Sequence, residues 1–298
     1  MAIELPRKNI ISFSGGKDST ALLLWAKENL DQYDAVWMDT GWEHEITYGY
    51  VDYIDQTLLD GKLIRLKSDK YDGFEDMVIK KSNMPSAKRR FCTDILKIRP
   101  YKKHLDSLRD EYEIHSYVGI RADESYNRSK MKKENFDLDH LGVWIHRPLL
   151  EWTAEDVFDI MKKHDIEPNP LYKMGMKRVG CMPCIMTNKK EMKQIVTRFP
   201  EVIDSIRRIE QKLDNTYFSM DYVPDKYCSR AFEIDKEVTK TIEDPMFGER
   251  EVVVHKKYTR FAPTIDDVVK YIMENPDQVS MMDDEEPQSC MSHYNICE

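Results

Sequence analysis

Ser14-Gly15-Gly16-Lys17-Asp18-Ser19-Thr20 follows the apolar run Ile10-Ile11-Ser12-Phe13 and leads straight into Ala21-Leu22-Leu23-Leu24-Trp25, so a glycine turn joins a short strand to a buried helix. Such a turn is suited to cradle phosphate. Glycines at 15 and 16 let the backbone curl at positive φ and bring N–H groups close to an anion, and a helix starting near Asp18 adds its positive N-terminal end. Lys17 supplies a mobile cation, while Ser14, Ser19 and Thr20 supply hydroxyl donors. The plain alternative is a serine- and glycine-rich turn that only caps a helix; the lysine and the flanking serines favour nucleotide binding. The spacing is not that of the Walker loop, which places four residues between its first glycine and Gly-Lys-Ser/Thr, nor is it G-x-G-x-x-G.

Outward from this turn, strand and helix alternate. Asp34 to Met38, Leu63 to Leu66 and Glu113 to Ile120 read as further strands, and helices are expected from about Glu45 to Leu59, Phe74 to Lys81 and Thr93 to Tyr112. That order predicts an α/β fold with a mostly parallel, doubly wound sheet, whose ligands sit beyond the carboxyl ends of the strands. The loop 14–20, Asp39-Thr40-Gly41 and Gly119-Ile120-Arg121 all fall at such ends and should converge on one crevice. Asp39 either accepts from ribose or adenine or caps its own turn. Arg121 either forks onto phosphate or pairs at the surface with Asp123 or Glu124. Trp42-Glu43-His44 adds a polar, aromatic rim, on which His44 is a weak candidate base.

The 298 residues allow one sizeable α/β domain, 1–190, and a mainly helical C-terminal region, 191–298, that ends in a cysteine-bearing tail. A net charge of −9 argues against broad affinity for polyanions. Apolar runs are too short to span a membrane, and the six irregularly spaced cysteines, with no export signal, suit a reducing cytoplasm better than a disulfide framework. Cys181-Met182-Pro183-Cys184 can share a metal or cluster, form a redox couple, or be two buried thiols. Thr153 and Asp156 form a capping box ahead of the stripe Val157, Ile160, Met161, and that helix reads as structural.

The turn at 14–20 resembles the PP-loop of the N-type ATP pyrophosphatases, which cleave ATP between its α- and β-phosphates and grip the departing pyrophosphate. Four ordered stretches extend the likeness, over residues 8 to about 185, to the phosphoadenosine phosphosulfate (PAPS) reductase family and its relatives, including those of DNA phosphorothioation. They are the loop; Phe91-Cys92-Thr93 with Lys97 and Pro100; Gly119 to Ser125; and Arg147-Pro148-Leu149 through Asn169-Pro170-Leu171-Tyr172 to Gly180-Cys181-Met182-Pro183-Cys184. The resemblance implies an adenine nucleotide alpha hydrolase-like fold. It also implies binding of ATP or PAPS by Ser14, Gly15, Gly16, Lys17, Asp18, Ser19, Thr20, Asp39, Gly119 and Arg121, with Mg²⁺ on the phosphates and Lys17 and Arg121 catalytic.

Iron–sulfur members hold a [4Fe–4S] cluster with two adjacent cysteines and a later C-x-x-C; here the adjacent pair is Phe91-Cys92. Three outcomes stay open: Cys92, Cys181 and Cys184 hold a cluster with one open iron, Cys228 or a tail cysteine completes a four-thiolate cluster or zinc site, or the thiols are unmetallated. Cys297 resembles the mobile catalytic cysteine of PAPS reductases, but the family's Glu-Cys-Gly-Leu-His ending is absent.

Beyond the likeness, Glu191 to Leu213 reads as one amphipathic helix, Thr239 to Arg260 as a small hairpin, and 282–287 as an acidic tail followed by Cys290 and Cys297. Basic residues from Lys80 to Lys103, with Arg128, Lys130, Lys132 and Lys133, form a strip suited to phosphates of a nucleotide or of a nucleic-acid substrate. The leading expectation is an enzyme that cleaves ATP to AMP and pyrophosphate, adenylylates a substrate and transfers sulfur from a cysteine-bound, iron–sulfur centre. Its partners would be a sulfur donor protein, with a homo-oligomer left open. The alternatives are a PAPS or adenylyl-sulfate reductase using thioredoxin, and a nucleotide-binding module without turnover.

Overall fold

A computed structural model describes residues 5–244 and 248–281. The chain runs β1 (Arg7–Phe13), α1 (Lys17–Asn29), β2 (Asp34–Met38), α2 (Glu45–Leu58), β3 (Ile64–Leu66) and α3 (Phe74–Lys81). α4 (Phe91–Thr93), a π-helical turn (Asp94–Ile98) and α5 (Arg99–Asp106) form one continuous helical stretch before β4 (Glu113–Tyr117). Then come α6 (Tyr126–Ser129), β5 (Glu134–Phe136), β6 (Trp144–His146), α7 (Ala154–Lys163) and α8 (Pro170–Lys173). The C-terminal part holds α9 (Lys189–Arg198), α10 (Pro200–Leu213), the hairpin β7 (Arg230–Asp244) and β8 (Gly248–Ala262), α11 (Ile265–Glu274) and α12 (Pro276–Met281).

Six strands form a sheet in the order β3-β2-β1-β4-β6-β5, parallel throughout except for β5, which runs antiparallel to β6. The chain reverses its direction of winding between β1 and β4, the place where an open parallel sheet leaves a crevice at its carboxyl edge. The loop after β1 and the turn after β4 flank that crevice. Ala21 to Leu24 are buried because α1 lies between the sheet and α7. α7 starts at the expected capping box, with Asp156 N–H donating to Thr153 Oγ1 at 3.2 Å and Thr153 N–H to Asp156 Oδ2 at 2.7 Å. The opposite face packs Ile10, Val36, Ile114 and Ile145 against Ile98, Tyr101 and Leu105. A third cluster joins α9, α10 and α11 to Trp42, Phe74, Met77 and Leu96, so the C-terminal helices cover the mouth side of the sheet domain.

Several boundaries differ from the sequence reading. The helix expected from Glu191 to Leu213 is two helices, because Pro200 has no N–H to continue α9 and instead opens α10 at its first turn. The helix expected at Thr93 begins at Phe91 and ends at Asp106, with Pro100 in the first turn of α5 following the π-helical turn. β5 and β6, three residues each, are too short to show periodicity and lie among loop-like residues. The hairpin exists but is 15 residues per strand. No helix among the described residues is long and apolar enough to cross a membrane.

Glu210 of α10 ties this region together. It is 8% exposed, and its two carboxylate oxygens accept from Tyr217 N–H at 2.8 Å and Ile265 N–H at 2.9 Å. Burial outweighs those two donors and pushes its pKa up to about 7. The folded state therefore keeps a proton that the unfolded chain releases, so stability from this group is greatest on the acid side and falls as pH rises from about 4.5 to about 7. Urea melts of wild type and Glu210→Gln should show the wild-type advantage shrinking by up to about 3 kcal/mol across that window. A pH-independent difference would contradict this assignment.

Candidate active site

The turn after β1 is shaped by Gly15, whose φ of +82° an L side chain rarely adopts; a Cβ there would also meet Thr47 Cγ2 at 3.1 Å and Val51 Cγ2 at 3.3 Å. Gly16 is the N-cap of α1, and no side chain caps the helix there. Ser19 Oγ and Thr20 Oγ1 donate back to Gly16 O at 3.0 and 2.9 Å, and Ser14 N–H donates to Ser19 Oγ at 3.1 Å. These hydroxyls brace the loop from within, while the helix start faces the crevice with its partial positive charge.

Lys17 and Arg121 converge on one carboxylate. Asp18, 3% exposed, takes Lys17 Nζ at 2.6 Å and Arg121 Nε at 2.5 Å. Arg121 is itself buried and also donates through Nη1 to both oxygens of Asp123 at 2.6 Å. Burial works against its charge, but the two aspartates outweigh that and hold its pKa above the usual value. Arg121 thus makes the expected pair with Asp123, not as a surface residue but as the buried link between the ends of β1 and β4. Gly119 is buried just before it.

Asp39 ends β2 and is committed to its surroundings. Oδ1 accepts from Gly41 N–H at 2.9 Å and Tyr48 Oη–H at 2.7 Å, and Oδ2 pairs with Lys67 at 2.9 Å. It caps its turn, one of the two roles the sequence allows. His44 is the N-cap of α2: Nδ1 accepts from Ile46 N–H at 3.2 Å and Nε2 faces Glu201 at 3.1 Å, which makes it a tie to α10.

Beyond the end of β2 lies a cavity of about 80 Å³ whose walls include Cys92, Cys181, Cys184, Thr40, Lys97 and Tyr217. The C-x-x-C segment is docked onto the end of β2 by backbone pairing between Glu43 and Cys181 and by Met182 N–H to Trp42 O at 2.8 Å. Trp42 Nε1–H and Tyr217 Oη–H both donate to Pro183 O, at 3.0 and 2.6 Å. Cys181 Sγ lies 3.4 Å from Thr40 Oγ1, which donates to Glu43 Oε1 at 2.5 Å. Burial pushes the Cys181 thiol well above its ordinary pKa; Lys97 opposes this, and Glu43 and Cys184 add to it.

The segment between the two sites touches both. Asn169 Nδ2–H donates to Gly15 O at 3.2 Å and Tyr172 Oη accepts Lys17 N–H at 2.9 Å; further along the same segment, Cys181 and Cys184 line the thiol cavity.

Among the metal candidates, Cys92, Cys181 and Cys184 share the cavity. Cys228 does not line it; its Sγ lies 3.8 Å from Pro224 O, after a short turn at Asp225–Tyr227. Cys290 and Cys297 fall outside the described residues. Among the described residues no group of three or more His, Cys, Asp or Glu is arranged to hold a metal ion.

The sequence reading places Thr40 at the crevice, Glu43 on its rim and Lys97 in the basic strip, and gives Tyr172 and Tyr217 no role. Tyr172 lies in a stretch it quoted; Tyr217 reaches the site from beyond α10 and left no local signal. The basic strip is partly neutralised, with Lys80 on Asp76, Arg99 on Asp94 and Lys103 on Asp69.

Residues 8–187 match the family described as the phosphoadenosine phosphosulfate reductase domain. An uncharacterised 37.8 kDa protein of Escherichia phage 186 is 35% identical, over 68% of this chain and 74% of its own length. A Methanocaldococcus jannaschii relative is 30% identical over 65% of this chain but only 39% of its own, so this chain spans less than half of that protein. An adenosine 5'-phosphosulfate reductase of Staphylococcus haemolyticus is 27% identical over 59% of this chain and 69% of its own. A solved PAPS reductase of Candida auris aligns at 16% identity and a TM-score of 0.47, over 60% of this chain and 82% of that one. With a matching domain over more than half its length and the loop, Arg121 and thiol segments in their places, the chain belongs to the phosphoadenosine phosphosulfate reductase family.

Proposed function

We propose that this protein is an adenine-nucleotide-dependent enzyme of sulfur chemistry that cleaves ATP between the α- and β-phosphates, adenylylates an acceptor, and uses the cavity thiols in the sulfur transfer that displaces AMP. The observation that carries the reading is the single segment, Asn169 to Cys184, that supports the phosphate turn at one end and forms the thiol wall at the other. A complete turn, with an uncapped helix start and Lys17 in place, favours a site for departing pyrophosphate.

In this reading the start of α1 and Lys17 hold the β- and γ-phosphates, and Arg121 neutralises charge at the α-phosphate. An acceptor oxygen or nitrogen attacks the α-phosphorus, its bond to the bridging oxygen of the β-phosphate breaks, and pyrophosphate leaves against Lys17 and the loop amides. Asp18 keeps both cations aimed while they wait. Magnesium arriving on the nucleotide needs only one or two carboxylates, which Asp18 and Asp123 would supply, and it would neutralise phosphate charge there. A persulfide-bearing sulfur donor protein passes its outer sulfur to one cavity thiolate, the resulting persulfide attacks the activated acceptor as AMP leaves, a second cavity thiol cleaves the acceptor–cysteine disulfide, and an external dithiol reduces the cysteine pair. A reducing, cytoplasmic setting suits Cys92, Cys181, Cys184 and Cys228, which form no disulfide. The second reading is a reductase of PAPS or adenylyl sulfate, favoured by the family and by thiols close to the nucleotide turn; there a thiolate attacks the nucleotide's sulfur and thioredoxin restores the thiol.

With ATP labelled at the α-phosphate, the protein should form labelled AMP or an adenylylated acceptor together with pyrophosphate. Lys17→Ala should lower that rate roughly 100-fold, in line with the loss of one charge-stabilising donor, while leaving the melting temperature nearly unchanged. Sulfite from PAPS with reduced thioredoxin, and no pyrophosphate from ATP, would instead establish the reductase; tight nucleotide binding with neither product would mark a module without turnover.

A raised thiol pKa makes a separate prediction. The alkylation rate of Cys181 by iodoacetamide, followed by peptide mass spectrometry, should keep climbing above pH 9, and Lys97→Met should slow it at every pH. A plateau at the ordinary thiol value of about 8.5 would show that burial does not control this sulfur.

A further inference from the structure

The β7–β8 hairpin pairs only with itself: its two 15-residue strands form a separate two-stranded sheet that is tied to the body near its base, where Ser229 and Thr264 both bond Asp267 and Arg230 meets Asp214. A lone ribbon of this kind, roughly 50 Å long, is marginal in water. Its two faces differ in charge. On one, Glu233, Asp235 and Glu237 of β7 share the surface with Glu249, Glu251, His255 and Lys257 of β8, and opposite charges meet, as in His255 to Asp235 at 3.0 Å. On the other, Lys236, Lys240, Arg250, Lys256 and Arg260 stand with Phe232, Ile234, Val238 and Tyr258, and between Phe232 and Lys240 on β7 and between Arg250 and Arg260 on β8 no carboxylate intervenes.

Lys236 lies directly opposite Lys256, an arrangement that costs stability unless an anion lies against it. Lys236, Lys240 and Lys256 are exposed and have no ion-pair partner among the described residues. On a chain of net charge −9, this concentration of cations on one face of a projecting ribbon is a directional feature.

We infer that the cationic face of the β7–β8 hairpin is a docking surface for double-stranded DNA. The charge calls for a polyanion, and the shape selects among polyanions: the major groove of B-DNA, about 12 Å wide, admits a two-stranded ribbon, whereas the deep, narrow groove of an RNA duplex does not. With the cations turned toward phosphates, the acidic face points away from them, which fixes the side the duplex takes. The hairpin contributes no residue to the thiol cavity or to the contacts of the nucleotide turn, so its occupancy does not depend on the reaction proposed above.

The test is fluorescence anisotropy of a ~30-bp DNA duplex titrated with the full chain, without nucleotide, over a range of KCl concentrations, beside the same sequence as duplex RNA. The wild type should bind DNA more tightly than RNA with a steep salt dependence. Lys236→Gln/Lys256→Gln should weaken binding at least ~10-fold at low salt and reduce the slope of log K against log [salt] by about 1.8. Glu237→Gln/Glu251→Gln, on the opposite face, should leave binding equal or tighter, and circular dichroism should confirm that both variants fold. No DNA binding by the wild type, an unchanged salt slope in the lysine variant, or equal binding of RNA would overturn the inference. Light scattering that shows the lysine variant converting a dimer to a monomer, with DNA binding unaltered, would assign the face to a second copy of the chain and overturn it too.

Discussion

A buried carboxylate between two cations organises the mouth of this protein. Asp18 is out of water, and its two oxygens hold Lys17 from its own turn and Arg121 from the turn after the neighbouring strand β4. Removing Asp18 or Arg121 leaves an uncompensated buried charge at a cost of about 3–5 kcal/mol, whereas without Lys17 the carboxylate is still balanced by Arg121, so the buried pair fixes the spacing of the β1 and β4 ends more firmly than packing alone would. It also keeps the site nearly neutral without ligand, with Lys17 and Arg121 balanced by Asp18 and Asp123. Lys17 is the more exposed of the two cations and can exchange its carboxylate for phosphate oxygens, while Arg121 stays anchored.

The thiol cavity depends on a different constraint, backbone docking. The C-x-x-C turn has little regular structure of its own and is held by pairing to residues 42–43 and by two donors on Pro183 O. One of those donors, Tyr217, belongs to the C-terminal part, which Glu210 secures by catching the backbone on both sides of α10's neighbours. The C-terminal helices therefore complete the wall of the cavity and are not an appendage to it. Burial that shapes the wall also suppresses Cys181 as a thiolate, which leaves Lys97 as the cation positioned to recover its reactivity.

What the residues disclosed in advance follows the physics of each element. The turn at 14–20, the alternation of strands and helices, and the capping box at Thr153 and Asp156 are local patterns, and the structure repeats them. Trp144 to His146 is a strand only because β4 and β5 lie beside it, so three residues of sequence carry no sign of it. The break at Phe199-Pro200 was visible in the proline, but the apolar stripe runs through it and suggested one helix. At the site, Lys17, Arg121, Cys92, Cys181 and Cys184 were legible because they sit in compact motifs. The inward role of Ser19 and Thr20, the commitment of Asp39 to Gly41, Tyr48 and Lys67, and the contribution of Tyr217 depend on tertiary placement.

The central claim is that the turn after β1 receives the polyphosphate of an adenine nucleotide next to the thiol wall. Amide hydrogen exchange of the full chain, with and without ATP, tests it most directly. Slower exchange on ATP addition in both 14–20 and 169–184 is the predicted result; exchange at 14–20 that ATP leaves unchanged would contradict the account.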